Sequence, residues 1–436
     1  MTSALSTVRG LLWPRSLAGK ATVSAAFLAC VLLTAYFIAA HAMARRLQEA
    51  WKLSDEFGLP TDFDSLFGEK IAGSENAAVP LEQAATIARL FLNTERARFK
   101  VQQDDLLLQD ASYLASMDRL LADPEYEKAL SDADRRPKYH SLIVVAKPLV
   151  NSKIDHLQVQ RELMRAEQAI ARRLASQGKR DETVRRLLRM HRLTRSWEGK
   201  EPYLVAALTN VSLRTVIMTE LNLLLRQGPL AAGLHDDVER EIAETEHFLR
   251  ILPRVAEVEK INVIDMREHF PLPGPRLNRL FADDDRAFMI RQIHGWARTY
   301  NRPYNQVKSE CDAIETERLA MLRDPIGRLI HPGAQLLLPA MNMGRMAFDR
   351  LIALSRCLRI VNAMARTNNF AAELSSLGLP KEVLIDPFDG KPLRVKKTPK
   401  GPIVYSINFD LIDDGGAIKS FKDVGLGPPE ETPVTK

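Results

Sequence analysis

Residues 21–44, ATVSAAFLACVLLTAYFIAAHAMA, contain no Asp, Glu, Lys or Arg. Wound as a helix rising ~1.5 Å per residue, the first twenty of them span the ~30 Å hydrocarbon core of a bilayer, which predicts one membrane crossing. Lys20 bounds the run on one side and Arg45-Arg46 on the other, while Trp13 and Trp51 stand where interfacial aromatics gather. A cleaved signal peptide is the competing reading, because Ala40-His41-Ala42 and Ala42-Met43-Ala44 both fit a small-x-small cleavage pattern. Signal-peptide cores of ~7–15 residues are shorter than this run, which favours an anchor. Both readings export the remainder. Arg9, Arg15 and Lys20 before the run are balanced by Arg45, Arg46 and Lys52 after it, so orientation rests on the acid-free N-terminal flank, expected to stay in the cytoplasm. The expected location is the cytoplasmic membrane, crossed once, with the bulk of the chain on the periplasmic or extracytoplasmic side.

About 390 of the 436 residues follow the run, enough for one large domain or two to three ordinary ones. Apolar content of 46% with 27% charge is globular composition, which argues against wholesale disorder. Few aromatics and many Leu, Ala, Arg and Glu favour helix over sheet. Cys30 lies inside the apolar run, and Cys311 and Cys357 lie in the exported part, where a disulfide between them is chemically allowed but not specified by their spacing. No C-x-x-C or Cys/His cluster suggests zinc. The net charge of +6 is concentrated: residues 160–200 hold twelve Lys or Arg against five Asp or Glu.

The order of patterns predicts a mainly α fold: a basic tail (1–20), the transmembrane helix (21–44), an array of helical hairpins (45–270), a helical region continuing into a long helix (271–370), a small α+β module with a β-hairpin (371–424) and a loose tail (425–436). Gly58-Leu59-Pro60 breaks any helix leaving the membrane. Pro80 suits a first helical turn, and Leu81, Ala84, Ala85, Ala88, Phe91 and Leu92 recur at helical spacing. Helices are expected near 112–121 and 124–130, then over 154–174, stopping at Gly178, with Asp181 as N-cap of the next, whose apolar face carries Val184, Leu187, Leu188 and Trp197. Further helices are expected over 203–226, 236–252, 284–299, 305–322 and 339–366. Gly178 between two such helices has the look of a tetratricopeptide hairpin, but no period recurs. The run Phe270-Pro-Leu-Pro-Gly-Pro275 either divides two subdomains or turns a corner. Beyond it, residues 393–395 and 403–409 alternate with period two around Thr398-Pro-Lys-Gly-Pro402, a hairpin expected to pack on the preceding helix.

Asp386-Pro-Phe-Asp-Gly-Lys-Pro-Leu-Arg394, Tyr405-Ser406 and Asp413-Asp-Gly-Gly416 resemble the D-P-F-x-G-K-P-L, Y-S-x-G and D-D-G-G run that ends a family of bacterial single-pass membrane proteins. That run is similar in turn to the globular end of the major pseudopilins of type II secretion. Glu75-Asn-Ala-Ala78 and Arg323-Asp-Pro325 resemble the membrane family as well. Asn408 and Leu411 stand where the pattern has Gly, and Val395 replaces an aromatic. Lys20-Ala-Thr-Val-Ser24 lacks the prepilin-peptidase site of a true pseudopilin, so assembly by that route is not expected.

Asp410, Asp413 and Asp414 beside Gly415-Gly416 are candidate Ca²⁺ ligands, an ion that takes six to eight oxygens in a flexible loop. The pseudopilin resemblance implies calcium there; the residues alone equally suit a solvated turn. Arg185, Arg189 and Arg192 share one helix face, suited to anionic lipid, envelope polymer or an acidic partner, or, laced with Glu162, Glu167, Asp181 and Glu182, to water. Without interleaved aromatics, nucleic acid is not expected. No H-E-x-x-H, G-x-S-x-G, phosphate-binding loop or dinucleotide fingerprint is present. Glu244, Glu246 and His247, and Glu268 with His269, are the remaining polar clusters, and Tyr300–Tyr304 reads as a turn between helices. The expected function is that of a membrane-anchored exported binding or scaffolding protein of the bacterial envelope, with bilayer and protein partners and, by the resemblance, a link to secretion or surface assembly. The competing class is an envelope hydrolase whose carboxylates come from separate helices.

Overall fold

The computed structural model describes residues 17–54, 71–99, 107–136, 138–142, 154–196, 203–269, 276–300 and 302–429. Residues 1–16 of the expected basic tail, Gly58-Leu59-Pro60, Trp197, the 270–275 proline run and the end of the C-terminal tail lie outside them, as do the side chains of Glu268 and His269. The fold is mainly helical with a small three-stranded antiparallel sheet.

Helix α1 (Leu17–Ser54) carries the apolar run and continues past it without a break. Its apolar side chains from Ala25 to Ile38 are largely exposed, Phe27 at 71% and Ile38 at 66%, whereas Leu47 and Ala50 are buried in the core. One helix therefore has two environments. By length and composition it is able to cross a membrane.

The body begins with α2 (Ala78–Phe99), α3 (Ala111–Leu121) and α4 (Pro124–Arg135). In α2 the expected face is inward: Leu81, Ala84, Ala85, Ala88 and Leu92 are buried, and Phe91 is half-buried. Asp110 and Asp123 cap α3 and α4 by accepting from the amides two and three residues on, and Pro124 opens α4 where no amide is needed. Next comes the hairpin of α5 (Asp155–Ser176) and α6 (Arg180–Ser196). Gly178 at φ +76° ends α5, and the Lys179 amide turns back to the Leu174 carbonyl at 3.0 Å. Asp181 lies inside the first turn of α6 and is not its cap.

Helix α7 (Leu204–Leu225) is also long and apolar enough to cross a membrane, but it is the centre of the body, 67% buried against α5, α6 and later helices. The helix expected over 236–252 is instead α8 (Leu234–Ala243), a 3₁₀ stretch (Glu244–Ile251) and α9 (Leu252–His269). Helices α10 (Arg276–Thr299), α11 (Tyr304–Arg323), the six-residue α12 (Pro325–Ile330) and α13 (Pro332–Arg366) follow. α10 packs on α1, α9 and α13, so α1 is tied to the heart of the molecule. Tyr300 and Tyr304 flank the turn between α10 and α11; Tyr300 donates to the Met341 carbonyl at 3.1 Å and the Tyr304 ring meets Phe388 edge-on at 5.6 Å.

α13 starts seven residues before the expected Pro339 and runs through that proline. The reason is tertiary: Asp285 of α10 accepts from the Gly333 and Ala334 amides at 2.8 and 3.1 Å, a cap supplied from 48 residues away. Cys311 and Cys357 are separate buried thiols, not a disulfide.

The C-terminal sheet orders β1 (Arg394–Lys396), β2 (Ile403–Ser406) and β3 (Val424–Leu426) with β2 in the middle, and it rests on α13. β3 corrects the expected two-stranded hairpin and places the first residues of the supposed loose tail in a ladder, Val404 opposite Leu426. Gly425 permits the pairing, since a Cβ there would strike the Val404 carbonyl and Tyr405. At the end of the strand, the Leu426 and Gly427 carbonyls accept from Arg226, which caps α7, at 3.1 Å and from Asn222 of α7 at 2.9 Å.

Candidate functional site

The basic face of α6 does not stand free. Its Arg189 and Arg192 reach α4, where Glu127 lies 3.3 Å from Arg189 and Asp134 takes both bonds of Arg192 at 2.9 and 3.1 Å. Arg185 remains exposed. Between them Arg186 turns inward and clasps the buried Glu167 at 2.6 and 2.7 Å, with Tyr126 donating to the same carboxylate at 2.5 Å. Burial works against the charge on Glu167, yet Arg186 holds its carboxyl below the usual range. The helix is thus bolted to its neighbours by arginines in register with carboxylates.

What remains open is a groove of about 440 Å³ between α6 and α8, lined by Arg185, Arg192, Arg195, Asp237, Glu241 and Glu244 among others. Arg195 bridges Glu241 and Glu244 at 3.6 and 3.3 Å, and His247 joins Glu244 at 3.1 Å. Beneath the groove His191 is fully buried, its Nδ1 2.8 Å from Glu241 and its Nε2 3.1 Å from the Thr245 hydroxyl. Burial, with Arg214 and Arg195 nearby, outweighs Glu241 and pulls the imidazole down to about 4. The ring is therefore neutral at pH 7, with one nitrogen donating and the other accepting between Glu241 and Thr245. Glu246 leaves this cluster altogether and spans Arg356 of α13 with two bonds of 3.0 Å. The groove sets the arginines of α6 against Asp237, Glu241 and Glu244 on the facing wall, with Arg240 among them, a surface suited to a partner of matching mixed charge.

In the C-terminal loop the three candidate calcium ligands each have their own partners. Asp410 accepts from the Ile412 amide at 3.2 Å; Asp413 takes the Gly415 amide at 2.9 Å and the Tyr405 hydroxyl at 3.1 Å; Asp414 pairs with Lys422 at 3.0 Å. Among the described residues no group of three His, Cys, Asp or Glu side chains is placed to hold a metal ion. The loop is organised by Asp423, a residue the sequence patterns did not single out, whose buried carboxylate accepts from the Gly416 and Ala417 amides at 2.8 Å each. Gly415 and Gly416 adopt φ of +70° and +76°. Asp386 has the matching role at the head of the module: fully buried, it takes Ser406, the Phe388 and Ile407 amides and Arg394, at 2.6–3.1 Å. Burial pushes its carboxyl up, and the hydrogen bonds oppose that. The conspicuous D-P-F run therefore builds the module around one carboxylate.

No protein-family model, curated protein or solved structure matches this chain.

Proposed function

We propose that the chain is a membrane-anchored binding or scaffolding protein of the bacterial envelope, with α1 as its single crossing and the helical body on the far side of the membrane from the N-terminus. One observation supports the reading: the apolar side chains from Phe27 to Ile38 are exposed, while further along the same helix Leu47 and Ala50 are buried in the core. Leaving Phe27, Leu28, Val31, Leu32, Leu33, Phe37 and Ile38 in water forgoes on the order of 10 kcal/mol of burial, at ~1.5–3 kcal/mol for each fully buried side chain. Lipid is the solvent that removes this penalty. Continuity from the apolar half into the core fits a rigid stalk, as a scaffold needs. The mixed-charge groove between α6 and α8 supports a protein partner, and the pseudopilin resemblance of residues 386–416 supports a place in secretion or surface assembly.

The test is crosslinking of the full chain in its native membrane, followed by purification through a C-terminal tag. A defined protein partner, lost when Arg185 and Arg195 are both replaced by Glu, is the expected result. Recovery of the same partner from the doubly substituted chain, or of no partner at all, contradicts it.

A further inference from the structure

The end of the body nearest the anchor carries a second apolar surface. Helix α12 presents Ile326 and Leu329, three residues apart and so on one face, at 67% and 79% exposure. Asp324 caps the helix through the Ile326 and Gly327 amides at 3.1 and 3.0 Å, and Pro325 opens it. Gly327 lets it sit tightly, since a Cβ there would strike the Met321 carbonyl. The exposed apolar pair is thus held firmly outward. Arg323 and Arg328, both exposed, flank it.

Its position follows from a chain of contacts. Arg46, two residues beyond the apolar run of α1, reaches Asp284 of α10 at 3.1 Å. The other oxygen of Asp284 lies 3.7 Å from Nε2 of His331, the residue that closes α12. The opposite nitrogen of His331 is 3.6 Å from Asp285, which caps α13, and its ring stacks at a tilt on Phe288, centroids 5.1 Å apart. α11 leads to the same end, for it runs antiparallel to α10: Gln292 bonds Glu317 at 2.7 Å, and Gly295 sits against Ile314. α12 therefore stands at the level of Arg46. Ala44, the last residue of the apolar run, is ~3 Å further along α1, and the headgroup layer of a bilayer is about 5–8 Å deep.

We infer that α12 is a second membrane contact, in which Ile326 and Leu329 enter the headgroup layer of the bilayer that α1 crosses while Arg323 and Arg328 meet anionic lipid phosphates. A short amphipathic surface of this kind lies in the interface plane and does not span it. Alone, two apolar side chains and two cations bind a membrane weakly; beside an anchor that already holds them at the surface, the encounter is intramolecular and the contact persists. The consequence is orientation. One helix leaves the body free to swivel about its axis, and a second contact fixes which face looks outward. The inference rests on α1 being the membrane anchor.

The experiment uses the full chain with Cys30→Ser, which removes the exposed thiol, while Cys311 and Cys357 are buried and do not take label. Leu329→Cys carries an environment-sensitive fluorophore, Ile326→Cys serves as an independent second reporter, and Ser375→Cys, exposed beyond the far end of α13, is the control. Each chain is placed in vesicles of phosphatidylcholine and phosphatidylglycerol, with and without headgroup-labelled nitroxide lipid. The expected result is blue-shifted emission, quenched by the nitroxide, at 326 and 329 and neither effect at 375. Water-like emission at 326 and 329 in chains that float with the vesicles overturns the inference while leaving the anchor intact. A blue shift without quenching also overturns it, since protein and not lipid then covers α12. Chains that fail to float overturn the anchor, and the inference with it.

Discussion

His191 is one side chain whose burial makes the body less stable in acid. The buried imidazole titrates at about 4, against 6.5 for an unperturbed one. Its folded value is depressed, so its contribution is complete above the unfolded value and is lost as pH falls toward the folded one. The full difference is worth about 3 kcal/mol, of which about 2 kcal/mol is gone by pH ~5. Urea unfolding at about pH 7 and pH 5 should show the native chain losing about 2 kcal/mol more than His191→Gln; equal losses would contradict the assignment of a neutral, trapped ring. Phe421 tests a different term. It holds φ +56° with 75% of its surface exposed, its carbonyl fixed by Asn408 at 3.0 Å and Arg350 at 3.2 Å. A left-handed conformation disfavours any L side chain, and little burial is lost on trimming this one, so Phe421→Gly should raise stability by about 1 kcal/mol. A fall in the denaturation midpoint would show that the ring packs where it looks exposed. Asn408 and Leu411, at φ +65° and +60°, lie in the same region of backbone space.

At the scale of the element, α1 divides at Arg46. Deleting residues 1–44 removes the exposed apolar half and keeps Arg46 on Asp284 and Leu47 and Ala50 in the core, so the product should be soluble without detergent and fully helical by circular dichroism. Deleting residues 1–54 strips those core contacts and should lower stability by about 2–5 kcal/mol, the range for emptying a large apolar site. Persistent detergent dependence of the first product would count against the division. Much of this was legible in the sequence: the apolar run of α1, the stop at Gly178 and the inward face of α2 are local patterns that an isolated segment already contains. What escaped notice depends on distant partners. The cap that lets α13 begin at Pro332 belongs to Asp285, and the carboxylates that occupy Arg189 and Arg192 lie about sixty residues earlier in α4. β3 is three residues long, too short for any period to be read, and its pairing is decided by β2. Asp423 gave no signal because a carboxylate that caps a loop seven residues away looks like any surface Asp until the loop closes on it.

The whole molecule is polar in the geometric sense. The apolar half of α1 and the exposed face of α12 lie at one end, while α13, 35 residues and so about 50 Å long, carries the β-module toward the other. On the function proposed above, this arrangement would hold groove and module at fixed heights above the membrane plane. Everything depends on which solvent surrounds the first half of α1 and on which side of it the body stands. The direct measurement is accessibility of a tag at Lys436 in cells whose outer membrane has been permeabilised while the inner membrane stays sealed. Labelling by an impermeant reagent, in chains that alkaline carbonate does not extract from the membrane, is the predicted result. A tag labelled only after the inner membrane is broken, or a chain released by carbonate, would contradict the account.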